Sequence, residues 1–223
     1  MLRVDAAESR GDLDEALDLM EEMPDGPDGR PFWRPSRVER LLQLRLLGAA
    51  MPSWVHARWL LEQALQPREA RLMDVARRAL ETAVRVRGGH AAVQHAYPVE
   101  PDVTLIEHDW VFRQCHLYEL GGLTRFLGSG ASPALVRRAS HVREWAQTPM
   151  GGYRLLDRGS ARTTFKDLAG GEQLETPNIG SAALVIPGEC VIGRLVPITT
   201  GRIFESVPLP VPEDLARTVA RRP

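Results

Sequence analysis

An α+β fold follows from two observations along this 223-residue sequence. Up to about residue 148 the apolar residues recur at spacings of three and four, the period of helices. From Gly151 the period becomes two and Gly and Pro interrupt it, as in short antiparallel strands. A run of helices followed by a run of strands predicts segregated layers rather than alternating βαβ units. The expected architecture is an N-terminal helical bundle or short helical solenoid over 1–148. A small antiparallel β-sheet or partial barrel follows over 149–223, with a proline-rich extended segment and a short C-terminal helix. With 43% hydrophobic residues, a core can form without covalent staples.

The helical half divides into six predicted segments. Ala6 to Met23 carries Leu13, Ala16, Leu17 and Met20 at helical spacing beside an acidic solvent face. It reads as one helix or a helix pair, stopped by Pro24-Asp25-Gly26-Pro27. Residues 24–35 form a Pro/Gly-rich connection whose Phe32 and Trp33 are expected to tuck back onto the helices. Val38 to Ala50 is apolar nearly all round through Leu41, Leu42, Leu44, Leu46 and Leu47, which predicts a helix buried among others. Pro52 opens a third helix with Trp54, Val55, Trp59, Leu60 and Leu65, and Pro67 closes it, since proline is tolerated only in a first turn. Leu72, Ala76, Ala79, Ala83 and Val86 then mark an amphipathic helix ended by Gly88-Gly89. After the break between Pro98 and Pro101, one helix is expected from about Val103 to Leu120 and another from about Pro133 to Ala146.

The run Gly11-Asp12-Leu13-Asp14-Glu15-Ala16-Leu17, followed by Pro24, resembles the second helix of a tetratricopeptide repeat. In that family Gly-Asp turns the chain and Ala-Leu packs on the first helix. The resemblance covers about residues 2–24, one tenth of the chain. Such repeats recur about every 34 residues. The echo here, Leu60-Leu61-Glu62-Gln63-Ala64-Leu65-Gln66-Pro67, places its proline 43 residues after Pro24. The resemblance implies helical-repeat-like packing, and a concave groove for a peptide, without supplying matched ligand-clamping residues.

In the second half, Ala161, Thr163 and Phe165 alternate with Arg162, Thr164 and Lys166, and Ala169-Gly170-Gly171-Glu172 reads as a hairpin connection. Ala182 to Ile186 and Val191 to Ile198 are β-type runs joined by Pro187-Gly188, and Thr200-Gly201 turns into Ile203-Phe204. Pro208, Pro210 and Pro212 exclude a sheet centre and predict an extended surface segment before a last helix over Glu213 to Ala220.

Composition narrows the function classes. The 28 basic and 29 acidic residues nearly cancel, so the overall charge points to neither a polyanion nor a membrane surface. Lys166 stands alone against 27 arginines, a bias that the abundance of Ala, Gly and Pro attributes to a GC-rich genome. The two cysteines, Cys115 and Cys190, lie in different halves without metal-type spacing and are read as reduced thiols. The N-terminus meets acidic residues at once and no apolar run reaches 18 residues, which predicts a cytoplasmic protein without a membrane span.

Three functional readings follow. The first is a non-enzymatic interaction or adaptor protein, with a helical groove for a protein or peptide that includes Trp33, Trp54 and Trp59; exposed tryptophans favour it and buried ones weaken it. The second is an enzyme or small-ligand binder with a pocket between the halves, using His108, His116, Glu119 or His141 as acid or base. The cluster Glu107-His108-Asp109 with Cys115-His116 and Glu119 is expected on one helix. There His108 and His116 lie about 12 Å apart along the axis, too far to share a metal. Only His116 with Glu119 has metal-type spacing, and no metal or other cofactor is predicted. The third is a nucleic-acid module in which Arg162, Lys166, Arg194 and Arg202 share a face with Tyr153 or Phe165. The acidic residues of the same segment, Asp157, Asp167, Glu172, Glu175, Glu189 and Glu205, argue for an ordinary solvated face instead.

Overall fold

A computed structural model describes residues 3–23, 32–66, 70–180 and 185–222. Among them are twelve α-helices followed by seven β-strands and arranged as an α+β protein, with only the last helix, Glu213–Ala220, after the strands. The chain forms two compact units: Met1–Glu107 with Val111–Ser140, and His108–Trp110 with His141–Pro223.

The helical unit begins with a helix pair, α1 (Arg3–Arg10) and α2 (Leu13–Glu21). Gly11 turns between them at φ +83°, a conformation glycine adopts without a steric penalty, and the Asp12 side chain caps α2 by accepting from the Glu15 N–H. The expected stop at Pro24 to Pro27 lies outside the described residues. Next come α3 (Pro35–Leu47), a 3-10 turn at Gly48–Ala50, and α4 (Ser53–Ala64), which starts directly after Pro52. Pro67, its predicted end, also lies outside the described residues. In α5 (Ala70–Val86) the buried residues include Ala76, Ala79 and Ala83, small enough for neighbouring helices to approach closely, whereas Val86 is exposed. The Leu72 side chain is not among those described. These alanines share a core with Val93 of α6 (His90–Ala96), Leu105 of α7 (Pro101–His108) and Phe112 of α8 (Trp110–Gln114).

Two predicted helices are broken. Val103 to Leu120 is interrupted at Asp109 and then continues as α8 and a π-helical turn, Cys115–Glu119. That turn leads through Gly121, at φ +70°, into α9 (Gly122–Ser129). A Cβ on Gly122 would stand 2.4 Å from the His116 carbonyl oxygen, so glycine is required for this approach. The segment Pro133 to Ala146 splits into α10 (Pro133–Arg138) and α11 (Val142–Trp145), with His141 between them at φ +65°.

The β unit is built on a five-stranded antiparallel sheet of order β3-β2-β1-β4-β7: β1 Gly151–Arg158, β2 Arg162–Asp167, β3 Gln173–Pro177, β4 Cys190–Gly193 and β7 Leu209–Val211. A second, two-stranded sheet pairs β5 (Leu195–Ile198) with β6 (Gly201–Phe204). The run Val191 to Ile198 is therefore two strands in two sheets, separated at Arg194. Of the predicted strand Ala182 to Ile186, residues 181–184 lie outside the described residues. Alternation sorts the sheet's two faces. Tyr153, Leu155, Phe165 and Val191 form a core with Leu195 and Phe204 of the small hairpin, and the Phe204 ring meets those of Tyr153 and Phe165 edge-on at 5.3 and 5.0 Å. On the other face Cys190 and Ile192 pack with Ala216 of α12 (Glu213–Ala220). A Cβ on Gly152 would fall 2.0 Å from the Ala216 carbonyl oxygen, so only glycine in β1 admits this helix.

Candidate functional site

The predicted site residues separate on inspection. His116 is fully buried, its Nε2 3.0 Å from the Ala64 carbonyl oxygen and its ring packed on Phe112 at 5.6 Å. Burial holds its pKa below the ordinary value, with the Ala64 contact opposing the shift, so the imidazole is neutral and donates from Nε2. Its Nδ1 is buried without a hydrogen-bond partner among the described residues. Glu119 of the same turn is exposed, so the one pair with metal-type spacing is divided between core and solvent. His108 belongs to the other unit, and its placement with His116 on one helix is corrected by the break at Asp109. His141 is partly exposed, and its Nδ1 lies 2.7 Å from Glu144 Oε1. Among the described residues no cluster of three His, Cys, Asp or Glu is arranged to hold a metal.

The basic face of the β unit is also not assembled as expected. Arg194 is 5% exposed and its guanidinium donates to the Thr148 carbonyl oxygen. Tyr153 and Phe165, the stacking candidates, are core residues. Burial pushes the Tyr153 phenol up to about 12, with Asp167 adding to the rise. Arg162 is exposed and paired with Glu175 at 2.8 Å, while Lys166 and Arg202 are exposed on strands of different sheets.

The tryptophans of the helical unit take three different roles. Trp59, expected in a groove, is 2% exposed. Its indole N–H donates to Glu8 Oε1 at 3.3 Å, which makes it a brace between α4 and α1. Trp54 is half-buried under the guanidinium of Arg58, 5.0 Å from the ring centre. Trp33 lines an apolar cleft.

That cleft runs between α2 and α3 and encloses about 360 Å³. Leu17, Met20 and Met23 form one side, Val38 and Leu42 the other, and Phe32 and Trp33 lie against them. Asp18, Glu21 and Arg45 stand at its edge. Its apolar wall comes from a property of α3 that the sequence displays but does not interpret. Arg37, Leu41 and Leu44 turn inward, whereas Val38, Leu42 and Leu46 follow one another at i, i+4 and i+8 on roughly the opposite side. Leu46 is 86% exposed, and Leu42, Leu47, Met23 and Phe32 are exposed as well. The expectation of a helix buried all round is thus corrected: one side of α3 is buried, whereas Leu42, Leu46 and Leu47 are left exposed by the described residues.

A buried polar network fixes the Trp33 wall. The Glu8 side chain is fully buried and accepts from Arg37 Nη2 at 2.5 Å and Nε at 3.1 Å, besides the Trp59 N–H. Arg37 also donates to Asp5 at 2.8 Å, and Gln63 donates to the Glu8 carbonyl oxygen at 3.1 Å. Burial alone would lower the Arg37 pKa, but the Glu8 charge and the bonds to Asp5 and Glu8 outweigh it and hold the pKa above its ordinary value. This clamped guanidinium stacks on the Trp33 ring, 5.3 Å from its centre, and Phe32 meets the same ring edge-on at 4.9 Å. A second network joins α3, α4 and α8: Glu62 accepts from Arg113 at 2.7 Å and from Arg40 at 3.1 Å. Burial would raise the Glu62 pKa, yet the charges of Arg113 and Arg40 hold it below the usual carboxylate range.

No protein-family model, curated protein or solved structure matches the chain. The site is therefore defined by its own geometry.

Proposed function

We propose that this chain is a non-enzymatic interaction protein whose helical unit receives a segment of a protein partner in the cleft between α2 and α3. The observation that carries the reading is the second apolar side of α3, where half-buried Val38 and exposed Leu42 line the cleft and Leu46 continues the row uncovered by the described residues, beside a wall whose aromatic ring is held by a buried ion network. Exposed apolar residues scattered singly need no explanation, but a contiguous set along a rigid cleft is what a recognition surface requires. Fixing Trp33 in advance lowers the ordering cost of binding. The helix pair α1–α2, turned at Gly11-Asp12, supports a helical-repeat-like reading of this region. A cytoplasmic setting goes with it: Cys115 and Cys190 are free thiols, as in a reducing compartment. No helix among the described residues is long and apolar enough to cross a membrane.

The test is purification of the tagged protein from its own cells, beside a Leu42→Ser/Leu46→Ser variant, with mass spectrometry of what accompanies each. A stoichiometric protein partner retained by the native chain and lost by the folded variant is the expected result. A bound small molecule with no protein partner would overturn the reading.

A further inference from the structure

Resting on the cleft reading above, we infer that the occupant is an amphipathic helix with basic flanks. Three features of the cleft select it.

The first is rim charge. α2 carries Asp14, Glu15, Asp18 and Glu21, Glu22 caps it, and it has no basic residue. Glu15 is paired with Arg10, and Asp14 lies 3.9 Å from Arg45. Asp18, Glu21 and Glu22 are exposed and have no ion-pair partner among the described residues. A cationic partner meets a complementary potential here, while an acidic one is repelled.

The second is helix polarity. Glu21 and Glu22 sit at the C-terminal end of α2, where the helix dipole already presents partial negative charge and a cation is the stabilising neighbour. The chain supplies no Lys or Arg in that last turn. An incoming basic side chain would relieve an arrangement that is locally unfavourable.

The third is shape. Val38 and Leu42 line the cleft, and Leu46, exposed one turn further along α3, extends the apolar row to about 12 Å, a little over two helical turns. The opposite wall is helical too, so the described residues offer no strand edge in the cleft to pair with an extended peptide. A helix satisfies its own backbone hydrogen bonds and can lay an i, i+3, i+4, i+7 face into an apolar cleft, whereas an extended segment would leave its amides unpaired there. Met20 and Met23 give the floor and rim side chains that adapt to the inserted residues. A second copy of this chain fits less well, because a twofold contact centred on the cleft brings α2 carboxylates toward their own counterparts.

The probes are two synthetic peptides of about 15 residues, roughly four helical turns. They share one leucine face and carry either Lys or Glu on its flanks. Binding to the full chain is followed by fluorescence anisotropy of the labelled peptide. The Lys peptide should bind at least about tenfold more tightly than the Glu peptide at low salt, with the gap closing as salt is added. The Asp18→Asn/Glu21→Gln variant should weaken the Lys peptide by about fivefold. Leu42→Ser/Leu46→Ser, checked for native circular dichroism, should abolish binding of both. Equal binding of the two peptides, lost in the Ser variant, would overturn the charge inference and leave the cleft reading standing. Lys-peptide binding that survives in the Ser variant would overturn both. Binding of neither peptide would overturn the helical occupant, while the partner purification above tests the cleft independently. A dimer of the free chain, dispersed by the Ser variant, would make a second copy the occupant and overturn the inference.

Discussion

The two units treat apolar surface differently. In the β unit both faces of the central strands are covered: Phe204 and Leu195 of the small hairpin lie over Tyr153, Leu155 and Phe165, and α12 lies over Cys190 and Ile192. In the helical unit the described residues cover only one of the two apolar sides of α3. A unit that closes over its own apolar faces is built for stability. One that keeps a contiguous face open, while holding the adjoining wall rigid with buried ions, is built to meet something else.

The comparison can be broken most forcefully at Glu8. Glu8→Ala leaves Arg37 in a buried setting with one carboxylate instead of two, and should cost about 3–5 kcal/mol in urea unfolding. A loss near zero would mean that the network does not hold the Trp33 wall. Leu41→Ala, on the covered side of α3, should cost about 2–5 kcal/mol by the same measurement. In the β unit, Gly152→Ala forces a methyl group toward the Ala216 carbonyl and should lose about 1–3 kcal/mol as α12 shifts. Unchanged stability there would show that α12 is not closely seated.

A smaller effect depends on pH. The folded-state pKa of His116 is depressed, so the unfolded chain takes up the proton first. Its contribution is complete above the ordinary value of about 6.5 and is lost as pH falls below it, with a slope of at most about 1.4 kcal/mol per pH unit. Glu62, whose folded pKa is also depressed, contributes above the ordinary carboxylate value and loses that contribution at lower pH, so the two windows separate. Urea midpoints compared at about pH 7.5 and about pH 5 should differ less in His116→Leu than in the native chain. The smallest effect sharpens the contrast with Leu41. Leu46→Ala, on the open side of α3, should change stability by no more than about 0.5 kcal/mol.

Local chemistry made much of this fold readable. The proline ladder ending at Pro212 predicts a last helix over Glu213 to Ala220, its observed bounds, and the alternation around Phe165 with Gly170-Gly171 predicts the β2–β3 hairpin. Long-range contacts hid the rest. Nothing local divides Val191 to Ile198, because the separation at Arg194 comes with a buried guanidinium bonded to Thr148, far away in sequence. The break at Asp109 likewise coincides with a change of unit. For the site, Leu42, Leu46, Phe32 and Trp33 are all conspicuous as apolar residues, but the sequence cannot say which side of an all-apolar helix its own chain will cover. Trp59 looked like its neighbours Trp33 and Trp54 until Glu8, 51 residues away, took its N–H.

The edge strand β7, Leu209-Pro210-Val211, lies between Pro208 and Pro212. Prolines at every second position direct their hydrogen-less nitrogens to the same side, and the bonds to β4 can be donated only by Leu209 and Val211 from the other. The outer rim therefore offers acceptors without donors at those positions. A stray strand from another molecule finds no ladder to join there, which guards this end of the sheet against fibril-like growth in a crowded cell.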